Sequence, residues 1–144
     1  MVLYWFGKCR LIYLNISIVF LFNSCSSDDN NVRVHYAMLP VISAVVPDSF
    51  TYGETYAIKM TYYAPTTCHA FDGVYHDKVL DTRTFAIQSV VYELDNCMPN
   101  VMGNYAEAVL NLKIDSHDMY YLKFWNGNGP GGEGLFLEYE IPVN

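Results

Sequence analysis

The chain has 144 residues, 52% of them hydrophobic and 16% charged, with eight Lys and Arg against fifteen Asp and Glu and a net charge of −7. That length suits one domain of ordinary size. The acidity argues against nucleic acid as a partner and against electrostatic adhesion to anionic lipid heads.

Residues 1–24 do not read as part of a fold. Lys8 and Arg10 form a short basic region, and Leu11–Phe22 follows as twelve mostly apolar residues broken only by Asn15 and Ser17. A signal-peptide core has that length, whereas a bilayer-spanning helix needs ~20 apolar residues. Extending the segment back to Val2 would enclose Lys8 and Arg10, at a cost of ~2.5–3.5 kcal/mol each on the insertion scale. The alternative is an uncleaved anchor. Leu21-Phe22-Asn23-Ser24-Cys25 then stands where a cleavage site belongs. This stretch resembles the site of bacterial lipoprotein precursors: an apolar residue, two small residues, then the cysteine that becomes lipidated and N-terminal. Ser24 fits the position before the cysteine, while Phe22 is bulky and Asn23 is a departure. The following Ser26-Ser27-Asp28-Asp29 resembles the tether of surface-exported lipoproteins. The resemblance covers about 30 residues. It implies a signal peptide over 1–24, a lipid on Cys25 and a tether over 25–34. It also implies attachment to the cell outer membrane, facing outward. An ordinary signal peptide with an incidental cysteine is the competing reading.

On that reading Cys9 leaves with the signal peptide and Cys25 carries palmitate-type lipid. Cys68 and Cys97 remain as an even pair in an oxidising compartment, and a disulfide is expected between them. Cys68 next to His69 is no nucleophile–histidine pair, because neighbours on an extended strand point to opposite faces. Six basic residues then face fifteen acidic ones in the mature chain.

Residues 35–144 show period-two alternation broken by turn residues every ten or so positions, the signal of an all-β sandwich or barrel. Strands are predicted at 41–46, 55–63, 68–75, 82–94, 106–114, 119–125 and 135–143. In the second, Tyr56, Ile58, Met60 and Tyr62 share a face. In the fourth, apolar parity slips from Phe85 and Ile87 to Val90, Tyr92 and Leu94, which predicts a bulge or break near Gln88-Ser89. Ala108, Leu110, Leu112 and Ile114 point inward on the fifth, and Tyr120, Leu122 and Phe124 on the sixth. Leu135, Leu137, Tyr139, Ile141 and Val143 do so on the seventh. Seven strands in about 110 residues match an immunoglobulin-like antiparallel sandwich. Ser116–Tyr120 resembles the tyrosine corner of such folds, and a small closed barrel is the alternative. Facing the last two strands correctly requires Trp125 opposite Phe136, Lys123 opposite Glu138 and Tyr121 opposite Glu140.

Candidate chemistry is sparse. Asn126–Gly134 holds five glycines in nine residues, but Glu133-Gly134 stands where a phosphate loop needs Lys and Ser or Thr. It reads as a long flexible hairpin loop. His69, Asp72, His76 and Asp77 are the densest ligand-type cluster, with Gly73 able to mark a bulge that puts both histidines on one side. They read as solvated residues, and no metal or cofactor is expected. Glu93 with Asp95, and Glu138 with Glu140, read as exposed carboxylates, and no serine lies in a nucleophile elbow. Outward Tyr121, Trp125 and Phe136 form the candidate binding surface for a protein or glycan partner. The expected function is a non-catalytic binding or assembly module held to the membrane through Cys25. The alternative is an envelope enzyme or enzyme inhibitor on the same sandwich. Cys25→Ala should abolish metabolic labelling with palmitate; a chain labelled as before refutes lipidation.

Overall fold

The computed structural model describes residues 32–144, and the expected signal segment and Cys25 lie outside them. Eight strands follow in order: β1 Val34–Leu39, β2 Val41–Val45, β3 Thr55–Tyr62, β4 His69–Val79, β5 Thr82–Tyr92, β6 Ala106–Lys113, β7 Tyr120–Asn128 and β8 Gly134–Ile141. They form a β-sandwich of a five-stranded and a three-stranded sheet. The small sheet runs β2-β3-β6, all antiparallel. In the large sheet β4 lies along one edge of β5. The other edge of β5 is shared. β7 pairs with Thr82–Phe85 and β1 with Ile87–Tyr92, while β8 pairs with β7. The β5–β7 pairing is parallel, the one departure from the antiparallel pattern expected.

β1 was not anticipated as a strand. Val34, assigned to the tether, already pairs with Tyr92. Val34, Tyr36 and Met38 do alternate, but all three are exposed.

The core forms where the alternating faces meet. Ile58, Met60 and Tyr62 of β3 pack with Ala108 and Leu112 of β6 and the adjoining Ile114. Phe85 and Ile87 of β5, and Tyr120, Leu122 and Phe124 of β7, face them from the large sheet. Phe85 stacks on Phe124 at 5.4 Å between centroids. Burial of a side chain of this size contributes about 1.5–3 kcal/mol. On β8 the expected face is buried at Ile141 and half-buried at Leu137 and Tyr139, while Leu135 is exposed.

The parity slip predicted in β5 is absent. The strand keeps one inward set, Arg83, Phe85, Ile87, Ser89 and Val91, all buried, and Tyr92 is exposed rather than core. Two polar residues at inward positions disguised this pattern. Ser89 is satisfied by donating its hydroxyl to the Ala70 carbonyl at 2.9 Å. The bulge lies in the partner strand: Phe71 pairs with Ser89 and Gly73 with Gln88, leaving Asp72 unpaired.

The expected β7–β8 register is present, with Trp125 opposite Phe136, Lys123 opposite Glu138 and Tyr121 opposite Glu140. Lys123 Nζ lies 2.7 Å from Glu138 Oε1. The connector is short and hydrogen-bonded rather than long and flexible. Gly129 N donates to Glu133 O at 2.7 Å and Gly132 N to Gly129 O at 3.0 Å.

The Cys68–Cys97 disulfide joins the start of β4 to the loop after β5, with Cα atoms 5.5 Å apart. Closing this 29-residue separation is worth ~3.6 kcal/mol in the chain-entropy model. Replacing both cysteines with alanine should lower the unfolding free energy by about 2–4 kcal/mol, read from denaturant titration. An unchanged midpoint would show that the bridge closes no loop that matters.

Candidate functional site

The register of the large sheet decides which side chains share its outer face. Paired residues project to the same side, so β5 Thr84 and Ala86 fix the floor. Tyr75 lies opposite Ala86, and Asp77 opposite Thr84. β1 brings Met38, opposite Gln88, onto the same face. β7 and β8 add Trp125 and Phe136, opposite each other. Met38, Tyr75, Thr84, Ala86, Trp125 and Phe136 line a depression of about 250 Å³. It continues past Phe136 into a shallower recess bordered by Val79, Thr82, Tyr121 and Lys123.

Local features hold the aromatic walls in place. Gly134 leaves room for the Phe136 ring, since a Cβ there would lie 3.0 Å from the Phe136 Cε2 and 3.9 Å from the Trp125 Cδ1. Trp125 Nε1 donates to Asn128 Oδ1 at 3.3 Å. Lys123 stands 5.6 Å above the Phe136 ring while pairing with Glu138. The rim is acidic. Asp77, Glu138 and Glu140 share this face, and the Asp72 carboxylate accepts from Gln88 Nε2 at 2.6 Å. Lys123 is the one cation among them.

A second, polar cluster lies at the end of the sandwich, on the inner side. The Tyr120 hydroxyl donates to Asp115 Oδ1 at 2.8 Å and accepts from the backbone N–H groups of Asp115 and Ser116 at 2.9 and 3.2 Å. That is the geometry of a tyrosine corner, a tyrosine at the start of a strand bonded to backbone a few residues upstream. Arg83 Nη2 donates to Asp115 Oδ1 and to the Tyr120 hydroxyl, the latter at 3.2 Å. The guanidinium carbon lies 4.6 Å from the Tyr120 ring centroid. The Arg83 side chain is only 7% exposed. The hydrogen bond from Tyr120 holds the Asp115 carboxyl below the usual carboxylate range; burial opposes it, and the Arg83 charge and hydrogen bond add to the lowering.

Comparison of the chain with family models, with characterised proteins and with solved structures finds no match.

Of the expected surface residues, Trp125 and Phe136 meet across the depression, and Tyr121 borders the adjoining recess. Met38 and Tyr75 were missed. Tyr75 follows the bulge at Asp72, on a strand whose faces were not assigned from sequence, and Met38 sits on the unrecognised strand. The bulge does place His69 and His76 on one face, opposite Val91 and Phe85. Along the strand they are about 20 Å apart. His69 Nδ1 bonds Thr66 Oγ1 at 2.8 Å, and His76 stacks on Phe85 at 4.7 Å. Desolvation there, then the Arg83 charge, pushes the His76 imidazole below its usual range. Among the described residues no three His, Cys, Asp or Glu side chains are grouped as metal ligands would be. Glu93 meets Arg33 and His35 at the exposed end of β1.

Because the folded-state pKa of Asp115 lies below its unfolded value of about 3.9, its contribution is complete above that value. It is lost as pH falls through the folded pKa. Asp115→Asn should cost about 1–3 kcal/mol at pH 7, because a buried guanidinium loses its counter-charge. The gap between variant and wild type should narrow in denaturant titrations below about pH 4. A gap constant from neutral pH to pH 3 would rule out this linkage.

Proposed function

We propose that the chain is a lipid-anchored, non-catalytic binding module at the outer surface of the outer membrane, and that it holds a protein partner on the outer face of its large sheet. The anchor rests on Cys25 and the acidic, hydroxyl-rich stretch after it. The binding role rests on one observation: an apolar depression walled by Met38, Tyr75, Trp125 and Phe136, with Asp77 and Glu138 on the same face. A sugar needs hydrogen-bond partners for each hydroxyl, and the floor supplies only Thr84. An apolar anchor side chain needs none. Aromatic residues around a water-excluding pocket are the usual core of a protein–protein hot spot. The carboxylates of Asp72, Asp77, Glu138 and Glu140 favour basic residues beside that anchor.

The polar cluster gives the enzyme reading little support. Tyr120 is committed to the backbone corner, Asp115 is held ionised by Tyr120 and Arg83, and the adjoining Ser116 hydroxyl donates to the Asp118 carboxylate, with no histidine among the residues lining the cavity beside them. An inhibitor role has no distinguishing residue.

Trp125→Ala should lower partner recovery with the full-length protein by about tenfold or more, the scale of a hot-spot truncation, with little change in melting temperature. Phe136→Ala should act alike, whereas Val109→Ala, on the small sheet, should not. A loss of stability as large as the loss of capture would make Trp125 a packing residue and overturn the reading.

A further inference from the structure

The β4–β5 hairpin separates the outer face from a second cavity of about 230 Å³, bounded on its other side by the β6–β7 corner. We propose that this cavity binds a small acidic sugar, with Lys78 and Arg83 holding its carboxylate and Asp81 and Asp118 accepting from its hydroxyls.

The cationic half is set by register. Lys78 and Arg83 are directly opposite on neighbouring strands and project to the same side. Like charges so placed are destabilising. Among the described residues no other strand pairing sets two cations opposite each other. Asp115 relieves only part of this. Both protein hydrogen bonds of the Arg83 side chain leave from Nη2. Its Nε and Nη1 have no protein partner among the described residues, yet no buried polar atom there is unsatisfied. Those groups therefore keep contact with solvent, and Arg83 lines the cavity. Lys78 has no carboxylate within ion-pair distance among the described residues. A carboxylate between Lys78 and Arg83 would accept from a free guanidinium N–H and from the Lys78 ammonium together, meeting both charges at once.

The other half selects against a bare, multiply charged anion. Asp81 and Asp118 also line the cavity, and Asp118 Oδ2 accepts from Ser116 Oγ at 2.7 Å. Two carboxylates repel added negative charge and offer acceptors to hydroxyl groups. Leu80 and Met119 supply apolar wall for ring C–H surface. One negative charge on a polyhydroxylated ring, a uronic acid, meets all of these terms. Leu80 and Asp81 also border the outer recess, but Trp125, Tyr75 and Met38 take no part in this cavity.

The test is calorimetric titration of the full-length protein in detergent with sodium glucuronate, glucose and inorganic phosphate. Glucuronate should bind saturably and glucose at the same concentration should not. Lys78→Gln should weaken glucuronate binding by about tenfold, the loss of one charge-assisted contact, without lowering the melting temperature, because Lys78 is exposed and its removal takes a like charge from opposite Arg83. Trp125→Ala should leave this binding unchanged. No saturable response to glucuronate would overturn the proposal. So would equal binding of glucose, tighter binding of phosphate, an unchanged affinity in Lys78→Gln, or a response lost in Trp125→Ala.

Discussion

The Tyr120 hydroxyl fixes the crossing by which the chain passes from the small sheet to the large one. β6 belongs to the small sheet and β7 to the large one, and the chain crosses between them in the six residues from Ile114 to Met119. A crossing that short leaves backbone N–H groups without strand partners. The hydroxyl accepts from two of them, while its own proton goes to Asp115. Arg83 then reaches the same oxygen atoms from β5. One phenol and one carboxylate thus join β5, β7 and the corner. The arginine is tolerated inside because its charge meets a carboxylate and its plane meets the tyrosine ring. With that corner fixed, Leu122 and Phe124 follow inward by alternation, and Trp125 is aimed outward.

The aromatic depression follows from how β7 leaves β5. The two strands run parallel only from Tyr121 to Phe124. A bulge at Asn126 then bends β7 away. Asn126 Nδ2 donates to the Val41 carbonyl at 2.7 Å, and Gly127 takes a φ of 108° beside Pro40. A side chain at Gly127 would be strained in that conformation. The edge that β7 vacates is filled by β1, antiparallel, from Leu39 to Val34. This substitution sets Met38 next to Trp125. On the anchored reading, the strand that leads away from the lipid is also a wall of the binding face.

Much of this was legible in the sequence, and the failures have physical causes. β3, β6 and β7 read correctly because each has apolar residues on one face and polar residues or turns beside it. The β7–β8 register followed from parity plus one charge pair, Lys123 with Glu138. β5 misled because Arg83 and Ser89 occupy inward positions. Each is satisfied by a partner distant in sequence, Asp115 and Ala70, so hydrophobicity alone could not place them. β1 was hidden because its outward residues are apolar and exposed. Tyr75 was lost because no face was read along β4, where a single unpaired residue, Asp72, shifts every later side chain to the other face. The surface was therefore half legible: the β7–β8 half obeys simple alternation, and the β1–β4 half depends on a bulge and an edge strand.

The tip of the β4–β5 hairpin links these features. Leu80 has a φ of 54° and is 85% exposed. A leucine in that region is uncommon, since its Cβ crowds the backbone, and glycine or asparagine would relieve the turn. Packing against the core does not account for the choice, because the side chain makes little contact with it. Leu80 borders both the outer recess, with Tyr121 and Phe136, and the inner cavity, with Lys78 and Arg83. An apolar side chain held between two surfaces can cover a ligand on either of them, and glycine would leave both mouths open. The strain at Leu80 thus lies where the two proposed binding surfaces meet, away from the corner between the sheets.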